Sequence, residues 1–424
     1  MINESSIKAV NVSTFHKNFV KPLYNSYCFS NIPATIQSLF GITKNVGLPE
    51  DVLPSAKYKK YKKVVFLFVD AFGWKFFDKY KNKYHALQRF INKGVVSKIT
   101  SQFPSTTAAH VTTINTSLSV GESGVYEWFY YEPRLDSLIA PLLFSFAKDK
   151  ERGTLSSTGI NPIELYPTET LYEKLKNNGI KSNTFLPIEF AFSEYNSVVG
   201  KGAIIYPFST VAEGLTNLSE KVVGEKGKSY FYLYYEKIDS MGHDYGTDSR
   251  YFESEIDLFF TALENTFLKF IYEKITDTIV ILSADHGQTN VKPKTTLYLN
   301  KEIKDIDKYL KRTERGELIV PAGSCRDMFL HVKEGSIVKL RKILTKRLEG
   351  KAEIYETRSL VEQGFFGNKI SKELKSKIGN LVILPYKGES VWWYKKGVFE
   401  QKHKGHHGGL TREEMEIPFL TMSI

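Results

Sequence analysis

Residues 64–73 read Val64-Val65-Phe66-Leu67-Phe68-Val69-Asp70-Ala71-Phe72-Gly73, and this stretch decides the fold. Its first six residues are apolar, and all except Leu67 are β-branched or aromatic. A short unbroken apolar run of this kind is typical of a strand that is buried on both faces, as in a parallel sheet. The run ends in Asp70, a carboxylate that is costly to bury unless a cation meets it. Taken alone, Asp70 is explained most simply as a cap of the following helix.

The same pattern occurs twice more along the chain. An aromatic run, residues 230–235, precedes Asp239, and an aliphatic run, residues 278–282, precedes Asp285. Helical patterns separate these apolar runs. Strands that alternate with helices predict an α/β fold with a mostly parallel central sheet flanked by helices.

Residues 295–385 have a different texture. Short strand patterns at 328–332 and 352–355 flank a strongly basic helical segment at 337–348. We therefore predict a small α+β insertion over 295–385. The catalytic core then comprises residues 1–294 and 386–424.

The length, composition and cysteine content are typical of a soluble globular protein. The chain has 424 residues, of which 42% are hydrophobic and 25% charged, with a formal net charge of +11. The lysines are scattered, so a compositional bias explains this charge slightly better than an anionic partner does.

Cys28 and Cys325 form no disulfide framework. Residues 1–19 resemble no signal peptide, and no apolar run approaches the roughly 20 residues of a spanning helix. We expect a cytoplasmic protein with no membrane partner, and we find no recognisable nucleic-acid-binding motif.

Carboxylates and imidazoles are predicted to meet at one edge of the sheet. In open α/β sheets, ligands bind at the carboxyl ends of the strands. Asp239 is followed four residues later by His243, and Asp285 directly by His286, while His406 and His407 precede two glycines. Three aspartates and three histidines are too many ligands for one tetrahedral ion. They suit two divalent metal ions.

The charges of such a site leave a place for a hydroxyl ligand. Two divalent ions bring four positive charges and three aspartates remove three. A deprotonated hydroxyl would balance the remainder, and Thr107 is well placed for this role at a predicted helix N-terminus, where backbone N–H groups favour an anion. Each signal is weak alone, since Thr107 could merely cap its helix. The co-occurrence of all of them after predicted strands favours the metal site.

These motifs resemble the alkaline phosphatase superfamily, specifically its type I phosphodiesterase/nucleotide pyrophosphatase branch. The resemblance spans most of the chain from about residue 31. The motifs that carry it are Val69-Asp70-Ala71-Phe72-Gly73, Phe103-Pro104-Ser105-Thr106-Thr107, Asp239-Ser240-Met241-Gly242-His243, Ala284-Asp285-His286-Gly287 and His407-Gly408-Gly409-Leu410.

The resemblance implies an alkaline-phosphatase-like core, two zinc ions and a threonine nucleophile. Asp239, His243 and His407 would hold one zinc, and the second would be held by Asp70, Asp285, His286 and Thr107. By the family pattern Thr107 attacks phosphorus and forms a covalent phospho-threonine ester, which water then hydrolyses. Thr106 is the alternative nucleophile. The 295–385 segment resembles the cap-type insertion of these enzymes, and His406 would lie behind the ligands or face the substrate.

One departure from the family concerns the substrate. Ala108-Ala109-His110 stands where the best-known phosphodiesterases have a stretch that frames a nucleobase pocket. Tyr126 and Trp128 could supply a stacking surface instead. His110 could contact the phosphate or be an ordinary helix residue. We expect a small-molecule phosphate ester or nucleotide-like substrate, without a prediction of its identity or of the oligomeric state.

Several other functions compete with a phosphodiesterase. A sulfatase would need a Cys/Ser-x-Pro-x-Arg sequence, which is absent near Thr107. A phosphomonoesterase would usually add a cation for the extra phosphate charge, and residues 103–122 contain no Lys or Arg. A phosphonate hydrolase would use a similar metal site and remains an alternative. A non-catalytic binder of phosphorylated ligands or nucleic acid is the remote alternative, because every ligand position is filled.

Overall fold

The computed structural model describes residues 1–17, 19–43, 47–54 and 61–424. Its centre is a sheet of seven strands. The strands are β1 Lys63–Val69, β2 Gly94–Thr100, β3 Lys181–Pro187, β4 Ile204–Phe208, β5 Ser229–Tyr235, β6 Thr278–Ser283 and β7 Glu416–Ser423. They lie in the order β2-β7-β6-β1-β5-β3-β4. Five neighbouring strands run parallel, while β7 is antiparallel to both of its neighbours. The predicted α/β fold with a mostly parallel sheet is thereby confirmed.

Strand β1 occupies the middle of this sheet. It pairs in parallel with β6 on one side and with β5 on the other, so that Val65 lies beside both Val280 and Phe231. Every residue of β1 is buried. An unbroken apolar run is the sequence that such a strand requires, because helices cover both faces of the sheet.

Helices pack on the sheet and around its carboxyl edge. Arg250–Ala262 continues as a π-helical segment, Leu263–Leu268, and then as Lys269–Ile271. None of the helices in the described part combines the length and the hydropathy that crossing a membrane requires. The other helices of six residues or more in that part are Glu4–Val12, Ile32–Leu39, Trp74–Tyr80, His85–Lys93, Thr107–Thr116, Leu171–Lys176, Glu194–Val199, Val211–Gly224, Lys237–Tyr245, Ile337–Arg347, Thr357–Glu362 and Lys372–Lys377. Shorter helices are Val120–Ser123, Ile188–Ala191, Leu299–Glu302 and Arg412–Met415.

Several small sheets lie outside the central one. Tyr130–Glu132, Ser137–Ala140 and Ser145–Phe146 form an antiparallel sheet beside the site. Two-stranded pairings join Thr14–Phe15 to Phe19–Val20, Thr289–Asn290 to Gly405–His406, and Leu297–Tyr298 to Val391–Trp392.

The segment 295–385 has the α+β character that its sequence pattern indicates. Leu381–Pro385 lies between Met328–Leu330 and Ala352–Glu356 in an antiparallel sheet. Helix Ile337–Arg347 contributes Leu340 and Leu344 to a second hydrophobic core. That core also takes in Trp392 and Phe399, beyond residue 385. The domain boundary at 295–385 stays a prediction.

We predict that Leu67→Ala destabilises the protein by about 2–5 kcal/mol, because it opens a cavity in the middle of the sheet. Leu67 is fully buried. The matched control is Leu258→Ala, at a position that is 52% exposed. It should change the free energy of unfolding by less than about 0.5 kcal/mol. Urea unfolding measures both values, and similar losses for the two variants would contradict this assignment of the core.

Candidate metal centre

Three aspartates meet at the carboxyl edge of the sheet because the strands that carry them are neighbours. Asp285, Asp70 and Asp239 come after β6, β1 and β5, which are adjacent and parallel. Asp70 and Asp285 are buried, and Asp239 lies in the first turn of helix Lys237–Tyr245. No Lys or Arg of the described residues comes within 4 Å of these carboxylates. The sheet therefore concentrates negative charge at one place.

Asp70, Asp285 and His286 form one cluster, which we call the Asp70 group. His286 Nε2 lies 3.5 Å from Asp70 Oδ1 and 3.3 Å from Asp285 Oδ2. Neither of these two oxygens accepts a hydrogen bond from a described residue. Ala71 adopts a left-handed conformation with φ of 59° and donates its N–H to Asp285 Oδ1 at 3.1 Å. Through this hydrogen bond, the strained residue that follows Asp70 also contacts the carboxylate of Asp285.

Asp239, His243 and His407 form the second cluster, the Asp239 group. His243 Nε2 lies 3.2 Å from Asp239 Oδ2, and His407 Nε2 lies 3.7 Å from Asp239 Oδ1. The two clusters adjoin: the His286 and His407 rings are stacked with centroids 3.6 Å apart. Ligand atoms of Asp239, His286 and His407 all lie within 4.8 Å of one another, as do those of the Asp70 group.

Backbone carbonyls orient all three imidazoles in the same way. Nδ1 of His243 lies 2.8 Å from Gly405 O, and Nδ1 of His407 lies 2.9 Å from Ser105 O. Nδ1 of His286 lies 3.1 Å from Gly287 O. Since a carbonyl only accepts, Nδ1 carries the hydrogen and Nε2 presents its lone pair to the carboxylates. Such support behind the ring is typical of metal-ligating histidines.

Burial and mutual repulsion disturb the ionisation of this site. Burial, with the charges of Asp285 and Asp239, raises the pKa of Asp70 far above its usual range. Burial raises the pKa of Asp285 to about 7. Burial lowers the pKa of His407 to about 4. Burial, together with the charge of the neighbouring His407, lowers the pKa of His286 well below its ordinary value. Burial alone would raise the pKa of Asp239, but His243 and His407 bring it below its ordinary value. Without metal, the site therefore disfavours the ionised forms of Asp70 and Asp285 but favours that of Asp239.

The residues present fit two divalent cations. Carboxylate oxygens without partners face imidazole lone pairs, and the oxygen and nitrogen donors match those that zinc and similar ions bind. Bound cations would relieve the repulsion that now raises the carboxylate pKa values.

Thr107 contacts the Asp70 group, whereas Thr106 does not. Thr107 is the first residue of helix Thr107–Thr116. Its hydroxyl lies 3.2 Å from His286 Nε2 and 3.4 Å from Asp70 Oδ2, to which it can donate. The Thr106 side chain instead lies beside Glu127. The structure thus brings Thr107, and not Thr106, to the carboxylate cluster.

Two cavities open onto Thr107. The narrow cavity, of about 210 Å³, continues past Asp70 and Tyr234 towards Leu142 and Phe190. The wide cavity, of about 490 Å³, continues past His243 and His407 and is also lined by His406 and Phe399. Trp128 lines both cavities and is 38% exposed. Its position is consistent with the predicted contact to substrate.

His110 and Tyr126 must be removed from the predicted substrate-binding set. His110 is fully buried, with Nδ1 2.7 Å from Thr106 O and Nε2 within 3.0 Å of both Ser101 Oγ and the N–H of Gln102. Both ring nitrogens are therefore occupied. Tyr126 is also fully buried, stacks on Tyr130 and donates its hydroxyl to Lys377 O at 3.4 Å. Neither residue lines the two cavities at Thr107.

Several supporting residues carry no motif that the sequence reveals. Tyr234 donates its hydroxyl to Asp70 Oδ2 at 2.5 Å. Gln288 donates to both the backbone and the carboxylate of Asp239. Tyr234 belongs to the aromatic run of β5, where it is indistinguishable from a core residue. The position of Gln288, two residues after His286, is the sequence feature that could have indicated its role.

The segment 324–327 holds the loop that carries His407. Ser324 donates its hydroxyl to His407 O at 3.1 Å. The fully buried Arg326 makes two hydrogen bonds of 2.9 Å with Glu414. Glu414 in turn accepts from Gly409 N at 3.1 Å and from the Thr411 hydroxyl at 2.6 Å. We call this arrangement the Arg326–Glu414 clamp; together with Ser324 it fixes the backbone at His407 and in the residues that follow it.

A second pair of buried carboxyl groups, Glu127 and Asp327, lies beside Thr106. Both side chains are fully buried, and Glu127 Oε1 and Asp327 Oδ2 have no hydrogen-bond partner among the described residues. Burial raises the pKa of Glu127 to about 7, and burial with the Glu127 charge raises that of Asp327. They lie far apart in sequence, which is why motif analysis missed them.

We predict that metal-free protein loses stability between about pH 6 and pH 8 through Asp285. Because the folded-state pKa of about 7 lies above the ordinary value, the protonated form favours folding, and this contribution is lost as pH rises through 7. The expected loss over that interval is about 1 kcal/mol. Asp285→Asn removes this titrating group. In chelator-treated protein, the difference in unfolding free energy between wild type and variant should therefore change with pH. A pH-independent difference would contradict the assignment.

Comparison with known proteins identifies a family for this sequence. The family model described as "Type I phosphodiesterase / nucleotide pyrophosphatase" matches residues 64–410. No curated protein matches the sequence.

Solved structures share the fold. Murine ectonucleotide pyrophosphatase/phosphodiesterase 5 superposes with a TM-score of 0.63 at 17% identity, covering 85% of this chain and 88% of the other. An inactive variant of the same murine protein, in complex with AMP, gives a TM-score of 0.63 with 85% and 87% coverage at 17% identity. The human protein gives 0.63 at 16% identity, with 85% and 87% coverage. At these identities the likeness concerns the fold alone. The family match over most of the chain, with its motifs gathered in one centre, shows that this protein belongs to the type I phosphodiesterase/nucleotide pyrophosphatase family of phosphoric ester hydrolases.

Proposed function

We propose that this protein hydrolyses phosphodiesters or nucleotide pyrophosphate bonds with two zinc ions and a covalent phospho-threonine intermediate. The observation that carries the proposal is the position of the Thr107 hydroxyl, 3.2 Å from His286 Nε2 and 3.4 Å from Asp70 Oδ2. Both atoms belong to the Asp70 group.

The metal ligands come from the two groups. Asp239, His243 and His407 would hold one ion. Asp70, Asp285, His286 and Thr107 would hold the other. When bound, such ions neutralise the phosphoryl oxygens, favour the alkoxide of the nucleophile and stabilise a leaving oxygen. Mixed oxygen and nitrogen donors favour zinc.

Thr107 supplies the nucleophile in this proposal. A bond forms between Thr107 Oγ and phosphorus while the bond from phosphorus to the leaving oxygen breaks in line. Water then cleaves the bond between phosphorus and Thr107 and regenerates the hydroxyl. Because Thr107 begins a helix, free N–H groups of the first turn face the anion that it binds.

The two cavities favour a diester over a monoester. A diester carries two substituents, and one can occupy each cavity while phosphorus lies at Thr107. No Lys or Arg of the described residues lines the wide cavity, so it offers no cation for the additional charge of a monoester. A phosphomonoesterase and a phosphonate hydrolase on the same centre remain the alternatives.

A nucleotide-like substrate is the preferred class. The murine relative is described in complex with AMP, and Trp128 here offers an aromatic surface to both cavities. Action on small molecules in the cytoplasm remains our expectation from the sequence.

We predict two tightly bound zinc ions per chain, measured by elemental analysis after purification and desalting. Asp239→Asn should retain about one ion, because it removes charge from one group and leaves the other intact. Asp70→Asn should also retain about one and lose activity. Asp257→Asn, an exposed position paired with Lys83, is the control and should retain both. Fewer than one ion in wild type would overturn the two-metal proposal.

We predict that Thr107→Ala lowers kcat for bis(4-nitrophenyl) phosphate by at least about a thousandfold, because the nucleophile is lost. Thr106→Ala is the matched control and should stay within about tenfold of wild type. Thermal melting checks that both variants fold. Wild type should prefer the diester to 4-nitrophenyl phosphate. Full activity in Thr107→Ala, or inactivity confined to Thr106→Ala, would reassign the nucleophile.

A further inference from the structure

The narrow cavity has a charged group at its mouth that the proposed mechanism does not use. Its walls are mainly apolar and come from Leu142, Leu143, Leu186 and Phe190. Arg152 lies among the lining residues and is solvent-exposed. The guanidinium carbon lies 5.1 Å from the centroid of the Phe190 ring. Contact with an aromatic face orients this long side chain at the entrance.

Arg152 has no ion-pair partner among the described residues. No carboxylate oxygen in that part of the chain lies within 4 Å of its guanidinium. Glu189 and Glu194 are near enough to interact electrostatically, but neither is paired with it. The guanidinium therefore retains donors that a ligand can use.

The narrow cavity also contains three carboxylates. Glu236 pairs through Oε1 with Lys237 Nζ at 2.9 Å, and its buried Oε2 has no hydrogen-bond partner among the described residues. Asp70 and Asp239 belong to the two metal-ligand groups. The cavity thus leads from the reacting centre, along an apolar wall, to one cation without a partner among the described residues. A substituent that fits it is compact, apolar in the middle and negatively charged at its far end.

The two cavities differ in which half of a diester they suit. The wide cavity contains His243 and His407 of the Asp239 group, whose ion would stabilise a leaving oxygen. The narrow cavity contains Asp70 and Thr107 but neither of these histidines. We assign the leaving group to the wide cavity. The half that stays esterified to Thr107 then extends towards Arg152.

We propose that Arg152 binds a second anionic group, a carboxylate or phosphate, on the half of the substrate that remains attached to Thr107. This inference rests on the proposed function and narrows its substrate class to diesters whose retained half carries a negative charge. Guanidinium groups recognise both anions through paired hydrogen bonds. Because the site is exposed, we expect an effect of about tenfold rather than several orders of magnitude.

Three chromogenic diesters with one leaving group test the proposal. They are the 4-nitrophenyl phosphodiesters of 4-hydroxybutyrate, 3,3-dimethylbutanol and choline, whose retained halves are anionic, neutral and cationic at similar size. Wild-type kcat/KM should be highest for the anionic ester and lowest for the cationic one. Arg152→Gln should lower kcat/KM about tenfold for the anionic ester alone, mainly through KM, and Arg152→Lys should keep part of the preference. The control is Arg358→Gln, an exposed arginine paired with Glu362.

A binding measurement separates this proposal from the proposed function. Calorimetry compares the phosphate monoesters of 4-hydroxybutyrate and 3,3-dimethylbutanol on the zinc-loaded Thr107→Ala protein, with and without Arg152→Gln. Tighter binding of the anionic compound that Arg152→Gln abolishes supports the proposal even if no ester is hydrolysed. Equal binding of the two compounds, an unchanged ratio in Arg152→Gln, or a preference for the cationic ester would overturn it. Hydrolysis of no ester by wild type would count against the proposed function instead.

Discussion

The structure depends on the placement of three carboxylates at one edge of a parallel sheet. Because β6, β1 and β5 run side by side in the same direction, the residues just past their carboxyl ends must converge. Each of these strands leads to an aspartate, and no lysine or arginine of the described residues lies within ion-pair distance of any of the three. Burying several carboxylates together is unfavourable in water-excluded surroundings. A fold that maintains this arrangement is built around the cations that would neutralise it.

Much of the surrounding structure serves to hold the ligands in place. The three imidazoles direct Nε2 inward because carbonyls at Gly405, Ser105 and Gly287 bind Nδ1. Asp70 keeps one oxygen on Tyr234 and the other towards His286. Preorganisation of this kind lets a site bind metal without rearranging, at the cost of stability when metal is absent.

The parts of the site that could be predicted from the sequence are those governed by local pattern. Apolar runs that end in aspartate, combined with the rule for parallel strands, were sufficient to bring Asp70, Asp239 and Asp285 together. The pair His406 and His407 entered the ligand set through its flanking glycines, and only the family resemblance selected His407, since the loop that carries it follows no strand pattern. Tyr234, Arg326, Glu127 and Asp327 were missed because their partners lie far away in sequence. The misassignment of His110 has a local cause: its ring bonds the carbonyl of Thr106, four residues earlier on the same helix, which is the ordinary alternative for a polar residue there.

The Arg326–Glu414 clamp has a consequence for how this enzyme can change over evolution. Arg326 and Ser324 come from the segment between residues 295 and 385, whereas His407 and Glu414 come from the closing part of the chain. A buried bidentate ion pair is strongly destabilising when only one partner is removed, so the two regions cannot diversify independently. Replacing this segment with that of a relative would bring a new cavity wall. It would also leave Glu414 without its ion-pair partner and remove the contacts that hold the backbone at His407. The segment that contributes part of the wall of the wide cavity is thus tied to a candidate metal ligand, and new specificities are more accessible through residues such as those around Phe190, which the clamp does not touch.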